Sequence, residues 1–256
     1  MLTREGFRLD GRVAIVTGSG RNIGRAVAEA FAEAGAKVVV NGHRDREAIE
    51  AVAAGIRERG GEAIAVLADV SDDAAVGAMV AQAVDTFGGL DIAVSNVSLR
   101  PYQSFLDITV EDWERVIRTN LSSTFFMARH AVPHMIGRGR GRLINVSGMD
   151  GFFGNVTHRA HNVSAKAGMH GLAKAVAREF GGQGITANTV APGPIDTQRD
   201  WSQYVHQERE AVHLGVPLQR YGAVDEVAGA CLFLASDAGG YVSGQVIHVN
   251  GGYLMY

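Results

Sequence analysis

The stretch Thr17-Gly18-Ser19-Gly20-Arg21-Asn22-Ile23-Gly24 decides how the rest of the chain is read. It joins a β-branched run, 12–17, to an amphipathic segment, 23–34. Glycines at such a junction let the backbone turn tightly and let a phosphate approach its amides, with the N-terminus of the following helix facing the negative charge. A lone glycine cluster serves equally well as a structural turn. Its weight comes from its place, between the first strand and the first helix of a repeating series.

The series runs to the end of the chain. Further short apolar runs at 37–41, 63–67, 91–94, 142–146, 185–190 and 245–249 read as strands. Between them, 45–59, 72–87, 112–135, a segment ending near Phe180, and 224–234 read as helices. Asp72 and Asp225 stand where a cap or a first-turn acid helps a helix start. Strands that are apolar throughout, alternating with amphipathic helices, belong to a parallel sheet covered on both faces. The expected fold is therefore α/β, a three-layer doubly wound Rossmann fold with a mainly parallel seven-stranded sheet, forming one NAD(P)-binding domain over 1–256. The longest stretch without a strand signal, 192–223, contains Trp201 and Tyr204. Such an excursion beyond a strand end suits a substrate lid, or a pair of surface helices.

Composition narrows the function classes. Twenty-four basic against 27 acidic side chains, with no block of either sign, argue against a nucleic-acid footprint or a polybasic membrane patch. Arg138, Arg140 and Arg142 alternate with glycines and read as a solvated loop. A single cysteine, Cys231, leaves no disulfide framework or thiolate metal site. No apolar run reaches membrane-spanning length, and the first residues lack the apolar stretch of a signal peptide, so the expectation is a cytoplasmic protein.

The end of the second strand bears on the cofactor. An acid there would bind the adenosine ribose and repel a 2′-phosphate. The chain instead has Asn41-Gly42-His43-Arg44, with Arg21 in the glycine loop and no carboxylate before Asp45. Two cations at that corner favour NADP(H), with NAD(H) the alternative.

Several segments together resemble the classical short-chain dehydrogenase/reductase family over nearly the whole chain, and in particular the branch that includes bacterial 3-oxoacyl carrier-protein reductases. Thr17-Gly18 and Ile23-Gly24 match the family's phosphate loop, with Asn22 where glycine is usual. Asp69-Val70 resembles the pair that frames the adenine, and Ser95-Asn96-Val97-Ser98 is a degenerate form of the Asn-Asn-Ala-Gly turn. Asn120 matches the helix asparagine of the proton relay. Pro192-Gly193-Pro194-Ile195-Asp196-Thr197 matches the segment that packs on the nicotinamide. The resemblance thus implies a cofactor site of Gly18, Ser19, Arg21, Asn22, Ile23, Gly24, Asn41, Arg44, Asp69, Val70, Asn96, Lys166, Pro192, Gly193, Ile195 and Thr197. It also implies a homo-oligomer, dimer or tetramer, paired through the 112–135 helix and the Lys166 helix.

The catalytic pattern departs from the family. Its Tyr-x-x-x-Lys, two residues on one helical face, is here Asn162 followed by Lys166. Aligning Gly151 with the usual glycine puts Gly148 at the catalytic serine's position and makes Ser147 its neighbour. Asn162 can donate a hydrogen bond to a carbonyl but cannot act as an acid near neutrality. A proton must come from elsewhere: His161, His158 and Asp150 are the titratable candidates, each also compatible with a plain structural role. The segment 161–167 is similar to one in 2,4-dienoyl-CoA reductases, which also lack the tyrosine. The expected catalytic set is Lys166, Asn120, Asn162, Asp150, Ser147 and His161. The expected activity is reduction of a carbonyl or a conjugated enone or enoyl group of a small, largely apolar substrate, lined by Phe105, Phe152, Phe153, Trp201 and Tyr204. A dehydratase, isomerase or cyclase on the same scaffold, or a cofactor-binding protein without turnover, is the alternative.

Overall fold

A computed structural model describes residues 4–152, 157–198 and 215–255. Seven strands form one sheet, all parallel, in the order β3-β2-β1-β4-β5-β6-β7. They are β1 (Val13–Val16), β2 (Lys37–Gly42), β3 (Glu62–Leu67), β4 (Ile92–Ser95), β5 (Gly141–Val146), β6 (Ile185–Pro192) and β7 (Val246–Val249). β1, β4, β5 and β6 are buried at every residue; β1 reads as an unbroken apolar run, whereas β5 and β6 also bury Arg142, Asn145, Thr186, Asn188 and Thr189. On one face lie α1 (Asn22–Glu33), α2 (Arg46–Glu58) and α7 (Val224–Ala235), with Phe31, Ile49, Ile56 and Leu234 in the shared core. On the other lie α3 (Asp73–Phe87), α5 (Ser123–Arg138) and α6 (Ala160–Phe180), around Met79, Met127 and Met135. Asp72 caps α3 by accepting from the amides of Ala74 and Ala75, and Asp225 sits in the first turn of α7.

The long helix expected over 112–135 is two helices. α4 (Val110–Ile117) and α5 are separated by a π-helical turn, Arg118–Ser122. Wider turns of this kind free backbone groups and re-aim side chains, and they recur at functional sites. Here the turn carries Asn120, fully buried, into the middle of the molecule. The periodicity on either side hides the extra residue from a reading of the sequence alone.

The arginine stretch is not a solvated loop. Asp91, 1% exposed, accepts from Arg138 Nε at 2.8 Å, from Arg140 Nε at 2.6 Å and from the Val13 amide at 2.9 Å. Arg142 is buried in β5. Burial raises the Asp91 pKa, but the two arginines and the amide outweigh it and hold the carboxyl below the usual range. No helix among the described residues is long and apolar enough to cross a membrane.

Because the Asp91 pKa is depressed in the folded state, its stabilisation is complete above the unfolded carboxylate range and is lost as pH falls through the folded pKa. Asp91→Asn removes charge from a site that three donors share. We expect it to cost about 1–3 kcal/mol at neutral pH, read as a lowered urea midpoint, and to flatten the acid limb of the stability profile. An unchanged midpoint in Asp91→Asn would remove the triad from the account of stability.

Candidate active site

The sheet reverses its winding between β1 and β4, so the loops that leave these strands diverge and open a crevice at their carboxyl ends. The glycine loop is fixed there by amides. Asn96 Nδ2 donates to the carbonyls of Thr17 (3.0 Å) and Gly18 (3.2 Å), and its own N–H donates to Thr17 Oγ1 at 2.9 Å. Asn41 Oδ1 accepts from the Gly18 amide, and its Nδ2 donates to the carbonyls of Val66 and Ala68. Ser19 Oγ donates to the Val16 carbonyl and accepts from the Asn41 amide. Ser19, Asn41 and Asn96 therefore shape the loop, their polar atoms largely committed to the backbone.

The loop leaves room for little except a ligand. A Cβ on Gly24 would lie 2.3 Å from the Gly18 carbonyl oxygen, and Gly18 itself holds φ +62° against Val97. Asn22, where the family has glycine, also takes a positive φ of 50°, an uncommon conformation that asparagine tolerates better than most. Its Oδ1 accepts from the Gln198 amide at 2.9 Å and its Nδ2 donates to the Gln198 carbonyl at 3.2 Å, tying the loop to the chain beyond β6.

Two adjoining clefts share this loop. One, of roughly 740 Å³, is lined by the 41–45 corner, Asp69 and Val70. Burial raises the Asp69 pKa, but hydrogen bonds from the Ser71 amide and hydroxyl, with the charges of His43 and Arg44, hold it below the carboxylate range. Asp45 is spent as the cap of α2, accepting from the Ala48 amide at 2.9 Å. The other cleft, of roughly 780 Å³, is lined by Asn22, Gly24, Asn96, Ser147, Gly148 and Lys166, and by Pro192, Gly193, Ile195 and Thr197. Glycine-lined amides at a helix start, a second cleft beside the loop lined by Asp69 and Val70, and a buried amine together fit a dinucleotide.

Lys166, 2% exposed on α6, donates from Nζ to the Val146 carbonyl at 3.1 Å. Burial, then the nearby charge of Arg100, push its pKa down to about 7, against the pull of Asp150. Asn162 is fully buried and does not line the cleft. Its Oδ1 accepts from Asn120 Nδ2 at 3.1 Å and its Nδ2 donates to Asp150 Oδ2 at 3.4 Å. Asn120 in turn is held by Leu99, accepting from its amide at 2.7 Å and donating to its carbonyl at 2.8 Å. Where the sequence suggests that Asn162 donates to a carbonyl, its amide here joins Asn120 to Asp150.

His161 is also enclosed. Its Nδ1 accepts from the Asn162 amide, and its Nε2 lies 3.3 Å from Gln103 Oε1, whose Nε2 donates to Asp112. Burial lowers its pKa, and its ring is held between the Asn162 amide and Gln103, away from the cleft. His158, exposed at φ +61°, stacks on Tyr102 at 4.7 Å. Ser147 does line the cleft, and its Oγ shares a 2.9 Å hydrogen bond with His170 Nε2. Burial first, then the charges of His248, Lys174 and Lys166, lower the His170 pKa to about 4. At Gly148 a Cβ would meet nothing, so the space for a serine is open, but its φ of +150° strains any side chain.

The proposed aromatic lining is not formed by the described residues. Phe105 is 72% exposed, and Phe152 stacks on His170 at 4.2 Å. Phe153, Trp201, Tyr204 and half of the 192–223 stretch, 199–214, lie outside the described residues. The cleft instead presents Arg100 and Arg115, which sequence reasoning missed. His170 was missed too, although its place one helical turn after Lys166 put it on the same face.

Comparison with known proteins gives the same answer from another direction. A family model described as enoyl-(acyl carrier protein) reductase matches residues 18–254. The chain is 39% identical to a 3-oxoacyl-[acyl-carrier-protein] reductase of Staphylococcus aureus, over 94% of this chain and 98% of that protein. The chain is a short-chain dehydrogenase/reductase. Other relatives in this family are a versicolorin reductase of Emericella nidulans (39% identity over 98% of this chain and 99% of that one) and an L-rhamnose 1-dehydrogenase (NAD(P)(+)) of a Sphingomonas species (39%, 95% and 96%). Among solved structures, a gluconate 5-dehydrogenase from Burkholderia cenocepacia in complex with NADP and tartrate superposes with a TM-score of 0.91 at 33% identity, covering 98% of each chain.

Lys166 and His170 both have folded pKa values below their unfolded ones. The unfolded chain therefore binds more protons between about 4 and 6.5 for His170 and between about 7 and 10.4 for Lys166. Stability of the protein without cofactor is expected to rise with pH across both windows. Chemical unfolding of Lys166→Met should lose the upper rise and keep the lower one. A wild-type profile that is flat or falling between pH 7 and 10 would contradict the buried amine's energetics.

Proposed function

We propose that this short-chain dehydrogenase/reductase is an NADP(H)-dependent oxidoreductase that reduces a carbonyl or a conjugated enone or enoyl group of a small substrate, with Lys166 delivering the proton. The observation that carries the reading is the Lys166 amine itself: enclosed, on the wall of the cleft, and titrating near neutrality where the usual phenol is missing. A general acid works best with a pKa close to the working pH. When bound, the reduced nicotinamide supplies a hydride to carbon. The Lys166 ammonium then gives a proton to the resulting oxyanion, or to the enolate formed from an enone, and recovers it from solvent. The hydride carries two electrons and one proton and Lys166 gives the second proton, so the alcohol or saturated product is balanced. Asn120, fixed by Leu99 and Asn162, and Asp150 hold the electrostatic surroundings of the amine.

Preference for NADP(H) rests on Arg21 and Arg44 lining the 41–45 cleft while Asp45 is engaged as a helix cap. Asp69, Val70 and Thr197 complete the cofactor's surroundings, and Lys166 offers its remaining donors to the ribose. A homo-oligomer paired through α5 and α6 fits the exposed Phe125 and Ile136 on α5.

Absorbance assays with panels of ketones and of enones, each including neutral and carboxylate-bearing members, test the reading. NADPH should be consumed in preference to NADH, and Arg44→Ala should weaken NADPH by about tenfold while sparing NADH. Lys166→Ala should lower kcat/KM by about 10²–10⁴. The wild-type reduction rate should fall as pH rises above about 7, because the ammonium form is the donor. Tight NADPH binding with no consumption against any member of either panel would overturn it in favour of non-redox chemistry.

A further inference from the structure

Among the described residues, the lining of the Lys166 cleft holds four cations, Arg21, Arg100, Arg115 and Lys166, and no carboxylate. Three have an evident occupation. Arg21 belongs to the phosphate loop and faces the adenosine cleft as well. Arg115 also borders both clefts and donates to Asp112 at 2.7 Å. Lys166 donates to Val146. Arg100 is different: it borders only the cleft that holds Lys166, is exposed, and makes no hydrogen bond or ion pair with any described residue.

Its segment is nonetheless held. Pro101 follows directly, Tyr102 stacks on His158, and the Gln103 amide donates to the His158 carbonyl at 2.8 Å. Gln103 then bridges His161 and Asp112. The 100–103 segment is thus fastened to His158 and His161 at the start of α6, eight and five residues before Lys166 in the chain, and the guanidinium is carried by an anchored backbone.

We propose that Arg100 is the anchor for a carboxylate on the substrate, so that the cleft takes small oxo acids rather than neutral carbonyl compounds. A guanidinium offers paired N–H donors that match a carboxylate in a bidentate fork, and a cation in a concave site raises the local concentration of anions. The proposal rests on the reductase reading for the word substrate, but the anion site itself does not. It carries a consequence for the chemistry. Arg100's charge weighs against the protonated form of Lys166. A carboxylate seated on Arg100 cancels that charge and draws Lys166 towards the ammonium that donates the proton, coupling binding of the correct substrate to arming of the acid.

The test is equilibrium binding of malonate to the NADP⁺-loaded protein by titration calorimetry, with no turnover in the readout. Wild type should bind malonate and not its dimethyl ester. Arg100→Ala should bind malonate at least tenfold more weakly, with NADP⁺ affinity and thermal midpoint unchanged, while Arg100→Lys keeps part of the affinity. Equal malonate affinity in wild type and Arg100→Ala, or no binding to wild type between pH 6 and 8, overturns the proposal. If malonate binds through Arg100 yet no oxo acid consumes NADPH, the reductase reading fails and the anion site stands.

Discussion

Everything that happens in this molecule depends on where two parallel strands part. β1 and β4 are neighbours, but the chain leaves them in opposite directions, so the carboxyl edge between them has no connection to cover it. Open backbone at such an edge must find partners, because an unpaired buried amide or carbonyl is costly. Asn96 and Asn41 supply them, one from each side, and in doing so hold the Gly18–Gly24 turn so close that no Cβ fits at Gly24. The polar lattice is therefore both the repair of a topological gap and the mould of the cofactor site.

The second constraint is a charge placed where water cannot reach it. Burying an amine is expensive unless partners compensate, and one backbone carbonyl is little compensation for Lys166. A family tyrosine at 162 would put a phenol beside it. Asparagine there removes the phenol and turns its amide towards Asn120 and Asp150 instead. Ser147, a hydroxyl on the same wall, is engaged with a His170 whose pKa burial lowers to about 4. The group of the cleft wall that titrates near neutrality is the Lys166 amine, its pKa lowered by burial and by the charge of Arg100.

Much of this was legible in the sequence, and the boundary is physical. A strand buried on both faces announces itself as an apolar run, as β1 does without a break, and β1 to β7 appear where the short β-branched runs stand. The phosphate loop, Asp69, Lys166 and the 192–197 segment are local in sequence and line the two clefts. The failures share one cause. The π turn at 118–122 changes hydrogen bonding without changing apolar periodicity, so α4 and α5 merge when read from pattern alone. His161 looks like a candidate acid until Gln103, far away in the chain, is found against its Nε2. Arg138 and Arg140 look solvated until Asp91 is placed between them. Pairings across 45 to 60 residues leave no trace in local pattern.

Asn22 shows how such a long-range pairing can justify a local cost. Glycine would take a positive φ at this position without strain, and the asparagine does so at a penalty that its short side chain keeps modest. In return its amide makes two hydrogen bonds to the backbone of Gln198, which glycine could not. Net hydrogen bonds of about 0.5–1.5 kcal/mol each are enough to offset that penalty. Both residues line the Lys166 cleft, one from the phosphate loop and one from the chain after β6. The side chain therefore fixes the relative position of the two walls that a dinucleotide must touch at once. A departure from the family's glycine pattern, read in isolation as a weakened phosphate loop, becomes in three dimensions a brace across the site.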